Sequence, residues 1–224
     1  MTFSGDLFAT LDVARDGVEA VSTELCSSDE FPRLLPEWFS ILWDVIRATT
    51  PVLQRAIGRL QQLPRDDFHQ ALLDFYLLKV TEESGHDEML ANDLATLGVP
   101  RESLSRRLPP APIAAMVGSQ YYLIDHVHPA AYLGYLAMLE GYPADTQKLG
   151  RAIEQSRAPV EAWSTYRMHA EVDTWHRQEI AEMLDLVPED PAIRGAIVSN
   201  GLRTADYYCQ ALDGLVARAH KIAA

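Results

Sequence analysis

The sequence predicts an all-α fold: one domain, residues 1–224, arranged as a bundle of about seven helices. Three observations predict it. Apolar residues recur at i, i+3 and i+4 through most of the chain. β-Branched clusters are few, and no Asn-Gly or Asp-Gly sits between alternating runs as a hairpin would need. No internal repeat, low-complexity tract or linker divides the chain.

The elements follow in order. The first helix runs from about Gly5 to Leu25, with Leu7, Leu11, Val13, Val18 and Val21 on its apolar side, and Ser27-Ser28-Asp29 ends it. Pro36 opens the second, which carries Trp38, Leu42, Val45 and Ile46; Pro51 is expected to kink it before Leu53, Ile57 and Leu60. Pro64-Arg65-Asp66-Asp67 starts the third, with acidic residues in its first turn, and Leu97-Gly98-Val99-Pro100 stops it. Residues 99–110 read as a polar connection. A fourth helical region begins near Pro110 and breaks at Pro129. The run from Ala130 to Leu139 is chargeless and rich in small residues, as in a helix packed closely on several neighbours. A shorter helix starts at Pro143-Ala144-Asp145 and reaches about Arg157; Pro159 starts another that reaches Leu186; the last runs from about Pro191 to Ala219.

A formal net charge of −13 argues against nucleic acid and anionic membrane surfaces as partners. No run of 18 apolar residues exists, and Met1-Thr2-Phe3-Ser4-Gly5-Asp6 lacks a signal-peptide pattern. Cys26 and Cys209 have no metal-like or redox-like spacing and read as small core residues in a cytoplasmic protein.

The chemistry concentrates in three places. His169-x3-Asp173-x2-His176 places two imidazoles and a carboxylate within about 40° of one another on a helix, a set suited to zinc, iron, copper or nickel. Glu140 closes the chargeless run, where a solvated-face explanation is weak and a metal would remove the cost of a buried carboxylate. Glu83-x2-His86 is an i, i+3 pair of the kind that carboxylate di-iron and di-manganese proteins use. Gly85 between them lowers helix stability by about 1 kcal/mol relative to Ala and permits close approach or local unwinding. Together Glu83, His86, Glu140, His169, Asp173 and His176 are more ligands than one tetrahedral zinc needs, and they fit two first-row metals with open positions.

In this order the three motifs resemble the heme-oxygenase-like di-iron oxidases and oxygenases, which share the seven-helix TenA/PqqC-type fold. The resemblance covers essentially the whole chain. It implies that those six residues are iron ligands, that two Fe(II)/Fe(III) ions are the cofactor and that O2 is the co-substrate. It implies biosynthetic oxidation of a small molecule, by N-oxygenation of an amino-acid derivative or by oxidative C–C cleavage or desaturation of an amino or fatty acid. Glu83-x2-His86 is similar to the spacing in the alkene-forming branch; other members place the first Glu further upstream, where this chain has Lys79 and Thr81.

Glu82, Tyr122, His126 and Arg203 are candidates for orienting a ligand or contacting substrate. Beside each stands a plainer reading: a solvated face for Glu82, core packing for Tyr122, the flank of a kink for His126, a surface ion pair for Arg203. A homodimer and an external electron donor are compatible with this scheme. Two other functions compete. One is a metal-free enzyme on the same scaffold, either a TenA-like thiaminase with a nucleophilic Cys or a PqqC-like cofactorless oxidase. The other is a non-catalytic helical metal-binding protein. Heme oxygenase itself would want an early heme-ligating His, and the first here is His69.

Overall fold

A computed structural model of the chain describes residues 2–143 and 145–223, with residues 171–174 and 223 described by their backbone alone. It contains α1 (Phe3–Ser27), α2 (Phe31–Leu60), α3 (Asp67–Glu83), α4 (His86–Thr96), α5 (Arg101–Arg106), α6 (Ala111–His126), α7 (Tyr132–Leu139), α8 (Thr146–Ser156), α9 (Ser164–Asp185) and α10 (Pro191–Ala223). Short 3-10 turns, Pro129–Ala131 and Val160–Trp163, precede α7 and α9. No strand occurs among the described residues. Side-chain caps start several helices: Thr2 accepts from the Gly5 N–H, Asp66 from that of His69, and Asp145 from those of Gln147 and Lys148.

Three boundaries differ from expectation. α2 runs unbroken from Phe31 through both Pro36 and Pro51. Each proline removes a helical hydrogen bond, but the helix buries a long apolar stripe, from Phe31 and Leu35 through Phe39 to Leu53 and Leu60, against α3, α4 and α6. Burial of that stripe outweighs two lost bonds. The expected third helix is two. Ser84 is extended and Gly85 takes φ +94°, so Glu83 ends α3 and His86 begins α4. The connection at 99–110 contains the short α5, and Arg107 after it anchors on buried Asp44 of α2 at 2.8 Å.

The small-residue run behaves as its composition predicts. α7 packs on α10 so closely that a Cβ on Gly134 would lie 2.0 Å from the Ile197 carbonyl oxygen. Gly201 faces it from α10 with its nitrogen 2.8 Å from the same point. Beside this contact Gln120 of α6 and Asn200 of α10 exchange amide hydrogen bonds of 3.0 and 2.8 Å, and Asn200 also donates to the Ala131 carbonyl oxygen. That satisfied, buried pair fixes the register of α6, α7 and α10. α9 packs against α1, α4 and α7, which carries its histidines toward Glu140 and the α3–α4 break. Among the described residues no helix is long and apolar enough to cross a membrane.

Candidate metal centre

The break between α3 and α4 builds the first corner of the site. Glu83 is buried at the last turn of α3, and His86 opens α4 with its Nδ1 3.1 Å from Glu83 Oε2. Burial pushes the Glu83 carboxyl up, but the His86 hydrogen bond and the charges of His86, His169 and His176 outweigh it and hold the group below its ordinary value. The same bond to Glu83 raises the His86 imidazole above its ordinary range against the opposing effect of burial.

α9 supplies the facing wall. Its start is pinned by Asp93 of α4, a buried carboxylate that accepts from Ser164 Oγ and from the Thr165 N–H at 2.8 Å. One turn on, His169 Nδ1 donates to the Thr165 carbonyl oxygen at 2.9 Å and its ring stands edge-on to His86, centroids 4.9 Å apart. His176 is buried, with Nδ1 3.8 Å from Glu140 Oε2 and Nε2 3.8 Å from Glu82 Oε2. Glu140 caps α7, its N–H bonded to the Leu136 carbonyl oxygen at 2.8 Å. Arg177 holds the following turn through the Gly141 carbonyl oxygen at 2.6 Å and stacks on Phe8.

Two sets of side chains come close enough to share an ion. Glu83, His86 and His169 form one; Glu83, Glu140 and His176 form the other; in each, ligand atoms lie within 4.8 Å of one another. Glu83 belongs to both. Asp173 lies in α9, with its side chain outside the described residues. The donors, carboxylate oxygen and imidazole nitrogen, suit a redox-active first-row metal. Glu83 Oε1 is buried with no hydrogen-bond partner among the described residues, a costly state for a carboxylate oxygen that a cation would relieve.

Glu82 is engaged differently. Its Oε2 accepts from Lys79 Nζ at 2.8 Å, and Lys79 donates equally to Glu179 of α9. Lys79 is 0% exposed. Burial opposes its charge, but Glu140, Glu179 and Glu82 prevail and its ammonium is held above its ordinary range. Sequence reasoning missed this residue. The signal was the helical phase: Leu72, Tyr76, Lys79 and Glu83 share the buried face of α3, while Leu77 and Leu78 face outward. Tyr122, His126 and Arg203 are corrected by the same logic. All three are exposed, Tyr122 at 65%, and the Tyr122 and His126 rings pack on each other.

A cavity of about 510 Å³ opens onto the cluster at Glu83, Glu140 and His169. Its body is apolar and aromatic, with Trp38, Leu42, Val45, Tyr135, Trp163 and Tyr166 among its walls. Charged residues of α1 and α8, Arg15, Glu19, Lys148 and Arg151, also line it, and Lys148 pairs with Glu19 at 2.5 Å across the two helices. Cys26, expected as a core residue, lines the same cavity, and burial pushes its thiol up to about 12.

Solved structures share this fold. A TenA homolog from Pseudomonas syringae pv. tomato superposes with a TM-score of 0.79 at 16% identity, covering 96% of this chain and 93% of its own. A domain of unknown function with a heme oxygenase-like fold from Shewanella denitrificans gives 0.68 at 16% identity, covering 92% and 91%. No curated protein matches the chain significantly. A family model described as "Iron-containing redox enzyme" matches residues 38–208, which span α2 to α10 and include all six candidate ligands, and the chain belongs to that family.

Proposed function

We propose that this protein is a non-heme di-iron oxidase or oxygenase that uses O2 to oxidise a small organic metabolite. The observation that carries the reading is the sharing of Glu83 between two ligand sets, at the end of an apolar cavity. His86, His169 and Glu83 would hold one ion and Glu83, Glu140 and His176 the other, with Asp173 a further ligand from α9. Iron bound there supplies the electrons that reduce O2.

The chain's own residues then have definable tasks. The Thr165 carbonyl oxygen accepts a hydrogen bond from the His169 Nδ1–H and so presents Nε2 as its donor atom. Arg177 fixes the turn behind Glu140. The aromatic and aliphatic walls exclude water and bind the substrate's apolar part, which suits a fatty-acid or amino-acid-derived molecule. N-oxygenation and oxidative C–C cleavage are both compatible with such a cavity.

A metal-free reading draws on the likeness to the TenA homolog and would make Cys26 the nucleophile. A thiol at about 12 carries almost no thiolate at neutral pH, which disfavours it. The deciding experiment is anaerobic loading with Fe(II) followed by O2. Two irons per chain, O2 consumption and a transient visible absorption are expected. Failure to take up iron, or uptake with no O2 consumption across amine and fatty-acid substrates, overturns the proposal.

A further inference from the structure

Lys79 is a cation already built into the acidic cluster. Its Nζ bonds Glu82 Oε2 and Glu179 Oε2, each at 2.8 Å, and so bridges α3 to α9. Glu140 contributes to its electrostatic environment. The Glu82 oxygen that Lys79 holds is the one 3.8 Å from His176 Nε2. A full positive charge therefore stands beside the Glu83–Glu140–His176 set and restrains a carboxylate that would otherwise be within reach of it. Glu83 is common to both sets, but His86 and His169, the members particular to the other one, contact Glu83 and the Thr165 carbonyl oxygen and no ammonium among the described residues.

We infer that Lys79 is a positioning residue that makes the two halves of the centre unequal: it keeps Glu82 off the metal and weakens cation binding at the Glu83–Glu140–His176 set. The inference rests on the metal reading above. Two effects combine. The ammonium repels a second divalent cation, and its hydrogen bond removes Glu82 as a competing ligand. Neutralising Lys79 leaves Glu82 and Glu179 without their shared counter-charge, and a unit change of charge next to the set, at an effective dielectric of about 20, corresponds to at least about a tenfold change in affinity. An ordinary structural pin makes the opposite prediction, because losing it would loosen α3 from α9 and weaken both sets.

The test is calorimetric titration of metal-free protein with Zn(II), a redox-silent probe, with Co(II) absorption reporting coordination. Wild type is expected to bind two ions in separate steps. Lys79→Met should strengthen the weaker step by about tenfold or more and leave the tighter step within about twofold. Lys79→Arg should behave as wild type. Adding Glu82→Ala to Lys79→Met should take back part of the gain and return the Co(II) spectrum toward wild type. Should the Met variant fail to fold, Lys79→Gln, neutral but able to donate to the carboxylates, is read in the same way. A second step that is unchanged or weaker in the neutral variant overturns the role of Lys79 while the metal centre stands. Wild type that takes up no Zn(II) overturns both.

Discussion

His169 Nδ1 lies 2.9 Å from the carbonyl oxygen of Thr165, four residues earlier on α9. A carbonyl oxygen only accepts, so the ring proton sits on Nδ1 and Nε2 keeps the lone pair. The ring is thus committed as a donor before any ion arrives. On the proposed two-iron reading, His169→Ala is expected to lower iron content by about half, with little change in helix content because the ring is only half-buried. Iron analysis beside far-ultraviolet circular dichroism checks this; unchanged iron content would remove His169 from the centre.

Asp93 reaches from α4 to cap α9 and is itself buried. Asp93→Ala leaves the Thr165 N–H and Ser164 hydroxyl without their acceptor, at a cost of about 2 kcal/mol. Because those residues set the start of the helix bearing His169, iron should also bind more weakly. A urea midpoint and a metal titration on the same variant test both effects. Asp93→Asn, which keeps one acceptor oxygen, should recover part of each.

Gly134 and Gly150 make a matched pair. A methyl on Gly134 meets the Ile197 carbonyl oxygen and the Gly201 nitrogen of α10, both backbone atoms, whereas one on Gly150 in α8 meets nothing within 4 Å. Gly134→Ala should cost about 3 kcal/mol or prevent folding. Gly150→Ala should stabilise by up to about 1 kcal/mol. Thermal melting of the two variants should therefore move in opposite directions.

His128 makes stability depend on pH. The Ala130 N–H donates to its Nδ1 at 3.1 Å, so Nε2 carries the proton and donates to His69 Nε2 at 3.2 Å; the His69 Nδ1–H in turn donates to the Pro64 carbonyl oxygen. Burial, and then His69, push the His128 imidazole down to about 4; Asp190 and Asp66 oppose this and Arg59 adds to it. The unfolded imidazole, at about 6.5, binds a proton more readily than the folded one. Stability from this group is therefore complete above pH 6.5 and is lost as pH falls toward 4. The loss should approach at most about 3 kcal/mol, less what solvent screening of this half-buried ring takes back. Urea midpoints across that range should show it, and His128→Asn should flatten the dependence.

Much of this was legible in the residue pattern, because the helices are amphipathic and the candidate ligands interrupt apolar faces. Glu140 after ten chargeless residues, and the spacing of His169 and His176, point to side chains that the fold brings together. What escaped had physical reasons. Pro36 and Pro51 stop helices in isolation, but tertiary burial along α2 overrides them. Gly85 has the freedom to unwind a helix, yet only the folded backbone shows that it adopts φ +94° and divides one helix into two. Lys79 was hidden by its charge, since a lysine is expected outside unless its partners are known, and Glu179 lies 100 residues away. Tyr122 reads as a core residue by composition, yet its phase on α6 leaves it exposed, as His126 and Arg203 also are.

α1 lies outside the matched span 38–208, yet Arg15, Glu19, Ser22 and Cys26 of that helix form part of the cavity wall. The candidate ligands all come from α3, α4, α7 and α9. Part of the cavity wall is therefore written on a stretch of chain that holds none of the candidate ligands. Substitutions along the inner face of α1 should retune which molecule is accepted without disturbing the chemistry, so this helix is the natural place to begin redirecting the protein to a new substrate.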